Sequence, residues 1–168
     1  MDRRVYAAVI VLVVASAAAY LWWSGGSEES NQGIASGKRA VNIVVDGLNN
    51  TSFDLRSHRS EVVVIEFITT WCRTCMIQTE ELKRFQEEFS GVVIASIDVD
   101  VNLNPWALEE WAAEMGTRWF VGHSPEAGRT YGVYTLPTVI VIDGKGIIRY
   151  RGNYTPFDEL KLIVQQIQ

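Results

Sequence analysis

Residues 62–76 read VVVIEFITTWCRTCM, an apolar run that leads directly into two cysteines. Residues 62–68 predict a strand that is covered on both faces, because they are continuously apolar apart from Glu66. Over residues 72–89 the apolar side chains recur with helical spacing, which predicts a helix that begins at Cys72. The two cysteines are therefore expected at a strand-to-helix turn.

These two cysteines are the only ones in the chain, and four kinds of site use such a pair. A structural disulfide is a poor fit, because closing so short a loop constrains the unfolded chain little. A zinc site needs about four ligands and requires His58 and His123 both to converge on the cysteines. Haem attachment requires a histidine directly after the second cysteine, where this chain has Met76. A redox-active pair of Cys72 and Cys75 fits best.

The position of the pair suits thiol chemistry, in which the thiolate is the nucleophile. Cys72 at the first turn of a helix faces unpaired backbone N–H groups and the positive end of the helix dipole, and Arg73 adds a cation beside it. Cys75, one turn later, is expected to be more buried and close enough to attack a mixed disulfide on Cys72.

Glu66 is the one carboxylate inside the apolar strand. Desolvation is expected to raise its pKa, which suits a group that accepts a proton from Cys75. The alternative is a carboxylate that reaches solvent at the end of the strand.

The rest of the chain alternates strand-like and helix-like segments. Further strands are predicted at residues 41–45, 52–55, 92–97, 138–142 and 147–151. Further helices are predicted at residues 104–115, 125–131 and 155–167, the first of them with Asn104 as its cap and Pro105 at its first position. Turn signals at residues 47–50 and 143–146 predict two hairpins. This order of elements predicts an α/β sandwich with a central mixed sheet flanked by helices, with the cysteines at the carboxyl end of a central strand.

Two short motifs resemble the thioredoxin family. WCRTC at residues 71–75, after the strand, resembles its WCxxC site, and LPT at residues 136–138 resembles its cis-proline loop. The resemblance covers residues 41–168 and, given an export segment, is similar to the TlpA-like and ResA-like extracytoplasmic thiol-disulfide oxidoreductases. It implies a thioredoxin-like fold, an enzyme without a cofactor, and a helical insert around residues 99–133. The tryptophans expected to pack in the core of this insert, rather than to form a ligand cage, are Trp106, Trp111 and Trp119.

The resemblance also implies roles for individual residues. Glu66 takes the place of the family's buried acid, which exchanges protons with the second cysteine. Pro137 is expected to be cis and to lie against the cysteines, the alternative being a trans proline that opens a strand. Leu136 and Thr138 beside it are expected to offer backbone groups to an extended substrate. Trp71 is expected to shield the pair and contact substrate, the alternative being simple core packing.

An uncharged run occupies residues 5–23 near the N-terminus. About 20 apolar residues span a bilayer as a helix, so the run predicts a membrane anchor over residues 1–23. Arginines before the run and glutamates after it favour an inside N-terminus and an outside domain. Small-residue patterns in the run also resemble the cleavage site of a signal peptide. The aromatic residues at its end favour the uncleaved anchor, since aromatic side chains prefer the membrane interface.

The anchor is followed by two further predicted regions. Residues 24–38 are rich in glycine and serine, which is typical of a flexible linker. Residues 39–168 are assigned to the thioredoxin-like domain. The net charge of −5 argues against nucleic acid as a partner.

These observations predict a single-pass membrane protein with its catalytic domain on the extracytoplasmic side. By resemblance it reduces disulfides of exported proteins, apocytochrome c cysteines among them, and is recharged by a membrane thiol-transfer donor. One alternative is a disulfide oxidant or isomerase, because the sequence does not fix the redox poise. Another is a copper or haem-delivery module that uses the two thiols as ligands. No resident metal is expected.

Overall fold

The computed structural model describes residues 31–167 of the chain. Its strands are β1 (Gln32–Gly33), β2 (Arg39–Ala40), β3 (Val44–Asp46), β4 (Ser52–Asp54), β5 (Val63–Ile68), β6 (Val93–Asp98), β7 (Phe120–His123), β8 (Thr138–Ile142) and β9 (Ile148–Gly152). Its helices are α1 (Arg73–Glu88), α2 (Pro105–Met115), α3 (Pro125–Thr130) and α4 (Phe157–Gln165), with short 3₁₀ turns at Leu48–Asn50 and Leu55–His58. Gly33–Gln168 is one compact unit, and the other unit, Met1–Gln32, lies almost wholly outside the described residues.

The central sheet has five strands in the order β7-β6-β5-β8-β9. Strand β5 runs parallel to β6 and antiparallel to β8, and β6 runs parallel to β7. Every residue of β5 is buried, because the sheet is covered on both faces. The predicted mixed sheet and its central strand are therefore confirmed.

The alternating side chains of β5 divide the interior into two cores. Ile65 and Phe67 belong to the core that also contains residues of the β3–β4 hairpin and α3. Val64 belongs to the other core, where Leu82 of α1 and Leu160 of α4 pack against it. Full burial of each such side chain contributes roughly 1.5–3 kcal/mol to the free energy of unfolding. Packing on both faces fixes β5, and with it the turn that carries the cysteines.

The helices that flank the site begin where the sequence predicts. Cys72 caps α1 and Asn104 caps α2, the latter by accepting a hydrogen bond from the Trp106 backbone N–H. Gly116 ends α2 in the left-handed conformation, with φ of 61°, which glycine adopts without a steric penalty. The predicted helix at residues 104–115 is confirmed.

A buried side chain ties α1 to the segment that precedes α4. The Gln78 amide donates to the Thr155 carbonyl oxygen at 2.9 Å, and its oxygen accepts from the Thr155 N–H at 2.6 Å. Gln78 is fully buried, so this pairing satisfies both ends of an amide that has no access to water.

Two features of the predicted insert differ from expectation. The sequence does not predict β7, an edge strand whose short FVGH segment lacks a β-branched run. Trp106 is 75% exposed, so the prediction that it packs in a core is wrong, whereas Trp111 is buried as predicted. Trp106 lies in the first turn of α2, on the face turned to solvent.

The N-terminal predictions fall mostly outside the described residues. The predicted anchor at residues 1–23 lies there entirely, and so do residues 24–30 of the predicted linker. Residues 31–38 of the predicted linker are described, and they include strand β1. Within residues 31–167, no helix has the length and apolar character needed to cross a membrane.

Candidate active site

Cys72 and Cys75 form a disulfide at the start of α1. Cys72 is the N-cap residue, and the Cys75 backbone N–H donates to its sulfur at 3.1 Å. This donor lies where negative charge develops when Cys72 becomes a thiolate. Cys72 is 8% exposed and Cys75 fully buried, as predicted. Cys72 is therefore the sulfur that an external thiol or disulfide reaches.

Glu66, in the middle of β5, is fully buried. Its carboxylate accepts hydrogen bonds from the Ser96 hydroxyl at 2.8 Å and from the Thr79 hydroxyl at 3.1 Å. Burial raises the pKa of Glu66 to about 8, against the opposing effect of these two hydroxyls. The alternative in which Glu66 reaches solvent is wrong, because β5 is covered on both faces.

Thr79 connects Glu66 to the second cysteine. Its hydroxyl lies 3.0 Å from the Cys75 carbonyl oxygen as well as within hydrogen-bond distance of Glu66. Thr79 is one helical turn after Cys75 and is itself fully buried. The carboxyl group and the helical turn that carries the second cysteine are thus joined through one side chain.

The loop of Leu136 and Pro137 packs, through Leu136, against the buried cluster that contains the cysteines. The Leu136–Pro137 peptide bond is cis, as predicted. The Thr138 hydroxyl donates to the Thr135 carbonyl oxygen at 2.7 Å, and the residue pairs with Phe67 in the sheet. The buried side chain of Thr138 therefore points away from solvent, and any contact it makes with substrate must involve its backbone.

Trp71 stands out from the surface beside Cys72. It is 70% exposed, so the alternative in which it packs in the core is wrong. Its indole N–H donates to Asp100 at 2.8 Å, and the Thr70 backbone N–H donates to Asp98 at 3.0 Å. Two side chains at the end of β6 thereby hold the loop that leads to the cysteines.

These two carboxylates differ in their protonation behaviour. Burial raises the pKa of Asp98, whereas hydrogen bonds from the Asn102 backbone and from Trp71 lower the pKa of Asp100. The sequence reasoning missed both residues. The signal available was their place at the carboxyl end of a strand that neighbours β5, where open α/β sheets build their sites.

The predicted insert covers one side of the disulfide. Leu108, Trp111 and Met115 of α2 pack in the same buried cluster as both cysteines, together with Ile68 of β5. Arg73 is exposed to solvent, where its charge acts on Cys72 through water. The surroundings of the sulfurs are therefore mainly apolar on the side of α2.

The two histidines do not converge on the cysteines. His58 hydrogen-bonds Glu61 at 2.8 Å, and His123 hydrogen-bonds the Asp100 carbonyl oxygen at 2.8 Å. Each ring thus has a local partner, so the zinc interpretation finds no support. Within residues 31–167, no cluster of three or more His, Cys, Asp or Glu side chains is arranged to bind a metal ion.

Comparison with known proteins gives matches over most of the domain. The AhpC/TSA family model matches residues 36–151. The thiol:disulfide interchange protein DsbE of Haemophilus influenzae is 31% identical over 61% of this chain and 56% of its own length. The thiol-disulfide oxidoreductase ResA of Bacillus cereus is 27% identical over 71% of each chain. The match to the DsbE protein thus spans little more than half of that relative.

Solved structures share the fold. The thioredoxin domain of a thiol-disulfide oxidoreductase from Bacteroides vulgatus superposes with a TM-score of 0.72 at 19% identity, covering 81% of this chain and all of that one. A thioredoxin family thiol:disulfide interchange protein from Chlorobium tepidum gives 0.69 at 19% identity, over 79% and 97% of the two chains. The predicted thioredoxin-like fold is confirmed.

The names of the sequence relatives support the predicted thioredoxin-like oxidoreductase activity, and the Cys72–Cys75 disulfide is the group that such an activity needs. The family model covers well over half of the chain. The chain therefore belongs to the AhpC/TSA family, and within it resembles the DsbE and ResA thiol-disulfide oxidoreductases.

Proposed function

We propose that this protein reduces disulfides of exported proteins through the dithiol form of Cys72 and Cys75. The observation that supports the proposal is the position of the less buried sulfur at a helix N-terminus, bonded to a second, fully buried sulfur whose helical turn is joined through Thr79 to a buried carboxyl group. Such an arrangement separates the tasks of attack, resolution and proton transfer among three residues.

The reaction has two steps. The Cys72 thiolate attacks one sulfur of a substrate disulfide, forming a mixed disulfide and expelling the other substrate sulfur as a thiolate, which takes a proton from water. Cys75 then gives its proton to the Glu66 carboxylate and attacks Cys72, which expels the second substrate sulfur. Two electrons pass to the substrate, and the protein is left with the Cys72–Cys75 disulfide seen here.

The charges around the loop support the reducing direction. The disulfide form of such a protein is a strong oxidant when the fold stabilises the thiolate of the reduced form. Here the ionised carboxylate of Asp100 lies beside Trp71, and the nearest cation along the chain, Arg73, is exposed to water. Negative charge on the loop that leads to Cys72 opposes the stabilisation of the thiolate by the helix N-terminus, which favours oxidation of the dithiol and therefore reduction of substrates.

The proposed setting is the outer face of a membrane, with residues 1–23 as a single-pass anchor. Exported proteins meet an oxidising environment, where cysteines that must remain reduced, such as those of apocytochrome c, acquire disulfides. The enzyme would need a source of electrons at each turnover. We propose a thiol-transfer protein of the membrane as that donor.

Insulin reduction tests the activity. We expect the dithiol form to reduce insulin and the Cys72→Ser variant to be inactive, because the attacking sulfur is lost. A Cys75→Ala variant should accumulate mixed disulfides on Cys72, since resolution requires the second sulfur. A wild-type protein as inactive as Cys72→Ser would contradict the proposal.

The reduction potential tests the direction. Equilibration with glutathione should place the Cys72–Cys75 couple well below the about −120 mV of the strongest thioredoxin-like oxidant. A value near that figure would instead favour the disulfide oxidant predicted as an alternative.

A further inference from the structure

A chain of hydrogen bonds leads from Glu66 away from the cysteines. Ser96 on β6 lies directly opposite Glu66 in the parallel pairing of β5 and β6, and its hydroxyl donates to the Glu66 carboxylate at 2.8 Å. The Trp119 indole N–H donates to the Ser96 hydroxyl at 2.9 Å. Ser96 is fully buried, so its hydroxyl is shielded from bulk water.

The chemistry of these groups fixes the direction of the chain. An indole N–H is a donor only, so Ser96 must accept the hydrogen bond from Trp119. The Ser96 hydroxyl has one proton, and the only other partner that the structure gives it is Glu66. Trp119 therefore keeps the Ser96 proton pointed at the carboxylate.

Thr79 on the other side of Glu66 is not fixed in this way. Its hydroxyl has one proton and lies within reach of two acceptors, Glu66 and the Cys75 carbonyl oxygen. An ionised Glu66 accepts that proton, whereas a protonated Glu66 donates to Thr79, which then donates to Cys75. Thr79 adapts to the protonation of Glu66, while Ser96 always favours the ionised form.

The other surroundings of Glu66 contain no competing charge. The polar groups that face it are the Ser96 hydroxyl from β6 and the Thr79 hydroxyl from α1, and its neighbour on β8 is Val139. Among the described residues, burial and these two hydroxyls are the influences on the pKa of Glu66, and no charged side chain accompanies them. The two hydroxyls are therefore the main polar groups that influence the pKa of Glu66.

We propose that Ser96 and Trp119 are positioning residues that hold a donor on Glu66 and so set the pH range in which it accepts the proton of Cys75. The role in catalysis rests on the proposed function. The effect of Ser96 and Trp119 on the proton affinity of Glu66 does not rest on it, because that effect follows from the hydrogen bonds alone.

The test is a titration of the Glu66 carboxyl group in the full chain, oxidised form, by carboxyl-carbon NMR. Ser96→Ala removes the donor and should raise the titration midpoint by about one pH unit, the usual worth of a hydrogen bond to a charged group. Trp119→Phe leaves the serine free to rotate and should raise the midpoint by less. Ser96→Thr keeps a hydroxyl and should restore the wild-type midpoint.

Trp106→Phe is the matched control for Trp119→Phe, because Trp106 is exposed. It should leave the midpoint unchanged. The second readout is the pH profile of mixed-disulfide resolution by the reduced protein, which should move by the same amount as the carboxyl midpoint in each variant.

An unchanged carboxyl midpoint in both Ser96→Ala and Trp119→Phe would overturn the inference. If Ser96→Ala does not fold, the other two variants still decide it. A raised midpoint in Trp119→Phe with a wild-type midpoint in Ser96→Thr supports the inference, and an unchanged midpoint in Trp119→Phe overturns it. If the wild-type protein has no reductase activity but the Glu66 midpoint rises in Ser96→Ala as expected, the proposed function is overturned. The influence of Ser96 on the proton affinity of Glu66 is then still supported.

Discussion

Glu66 has the most altered acidity of the residues at the site. Because its pKa is raised to about 8 by burial, most of the carboxyl groups are protonated at pH 7 and most are ionised above pH 8. Only the ionised form accepts a proton from Cys75. The rate of resolution is therefore expected to rise as the pH rises towards 8 and to level off above it.

Substitution of Glu66 by Gln removes this proton acceptor while keeping the size of the side chain. We expect mixed-disulfide resolution at pH 8 to slow by about 100-fold, within the range typical of general base catalysis, and the rise with pH to disappear. Stopped-flow measurement of substrate thiol release gives the rate. The matched control is Glu87→Gln on the exposed face of α1, and equal rates in wild type and Glu66→Gln would exclude the role.

A substitution at Asp100 tests whether its charge favours reduction of substrates. Asp100→Asn removes the negative charge and keeps an oxygen that accepts from the Trp71 indole. The thiolate of Cys72 should become more stable, so the reduction potential should rise, by roughly 10–30 mV. Asp46→Asn, an exposed change on β3, should leave the potential unchanged. A fall in the potential of Asp100→Asn would contradict the direction of the effect.

The sequence predicts some residues of the site better than others. Cys72, Cys75 and Glu66 lie close together in one stretch, and their side chains have chemistry that burial and a helix terminus alter in known ways. Ser96 and Asp98 lie in β6 and Asp100 lies two residues after it, and only the pairing of β5 with β6 brings them to the site. A serine or an aspartate in a strand has no local signal for such a partner.

At the scale of elements, β7 depends on a close approach that only glycine permits. A Cβ atom on Gly122 would lie 2.6 Å from the Asp46 carbonyl oxygen and 2.6 Å from the Phe120 ring. Gly122 also forms a β-bridge with Gly47, which directly follows β3 in the hairpin of β3 and β4. The edge of the sheet therefore meets the hairpin at a point with no room for a side chain.

Gly122→Ala should weaken this contact. We expect the free energy of unfolding to fall by about 1–3 kcal/mol, the usual cost of overpacking, as measured by denaturant titration. Gly91→Ala is the matched control, because a Cβ there meets nothing within 4 Å. An equal loss in the two variants would show that the close approach has no energetic consequence.

The elements that the sequence predicts are marked at their ends by capping or turn residues. Asn104 and Pro105 mark the start of α2, and the turn after residue 142 marks the hairpin of β8 and β9. Strand β7 has no such signal, and its pairing with β6 comes from tertiary contact. Trp106 shows the same limit, since helical spacing alone does not say which face of α2 is covered.

At the scale of the whole molecule, we propose that residues 1–23 hold the domain at the membrane. We expect the full chain to remain in the membrane pellet after carbonate extraction, because only a spanning helix resists that treatment. A chain that begins at residue 31 should appear in the supernatant. Release of the full-length chain into the supernatant would contradict the anchor.

The pairing of Gln78 with Thr155 has a consequence for the order in which the protein is made. Synthesis runs from the N-terminus, so the cysteines and Gln78 emerge well before Thr155 does. Until then the Gln78 amide has neither of its backbone partners, and α1 lacks its attachment to the end of the chain. A ribosome that stops before Thr155 therefore releases a protein with both sulfurs present, in which the helix that carries them has its contacts with β5 but not its attachment to the C-terminal segment.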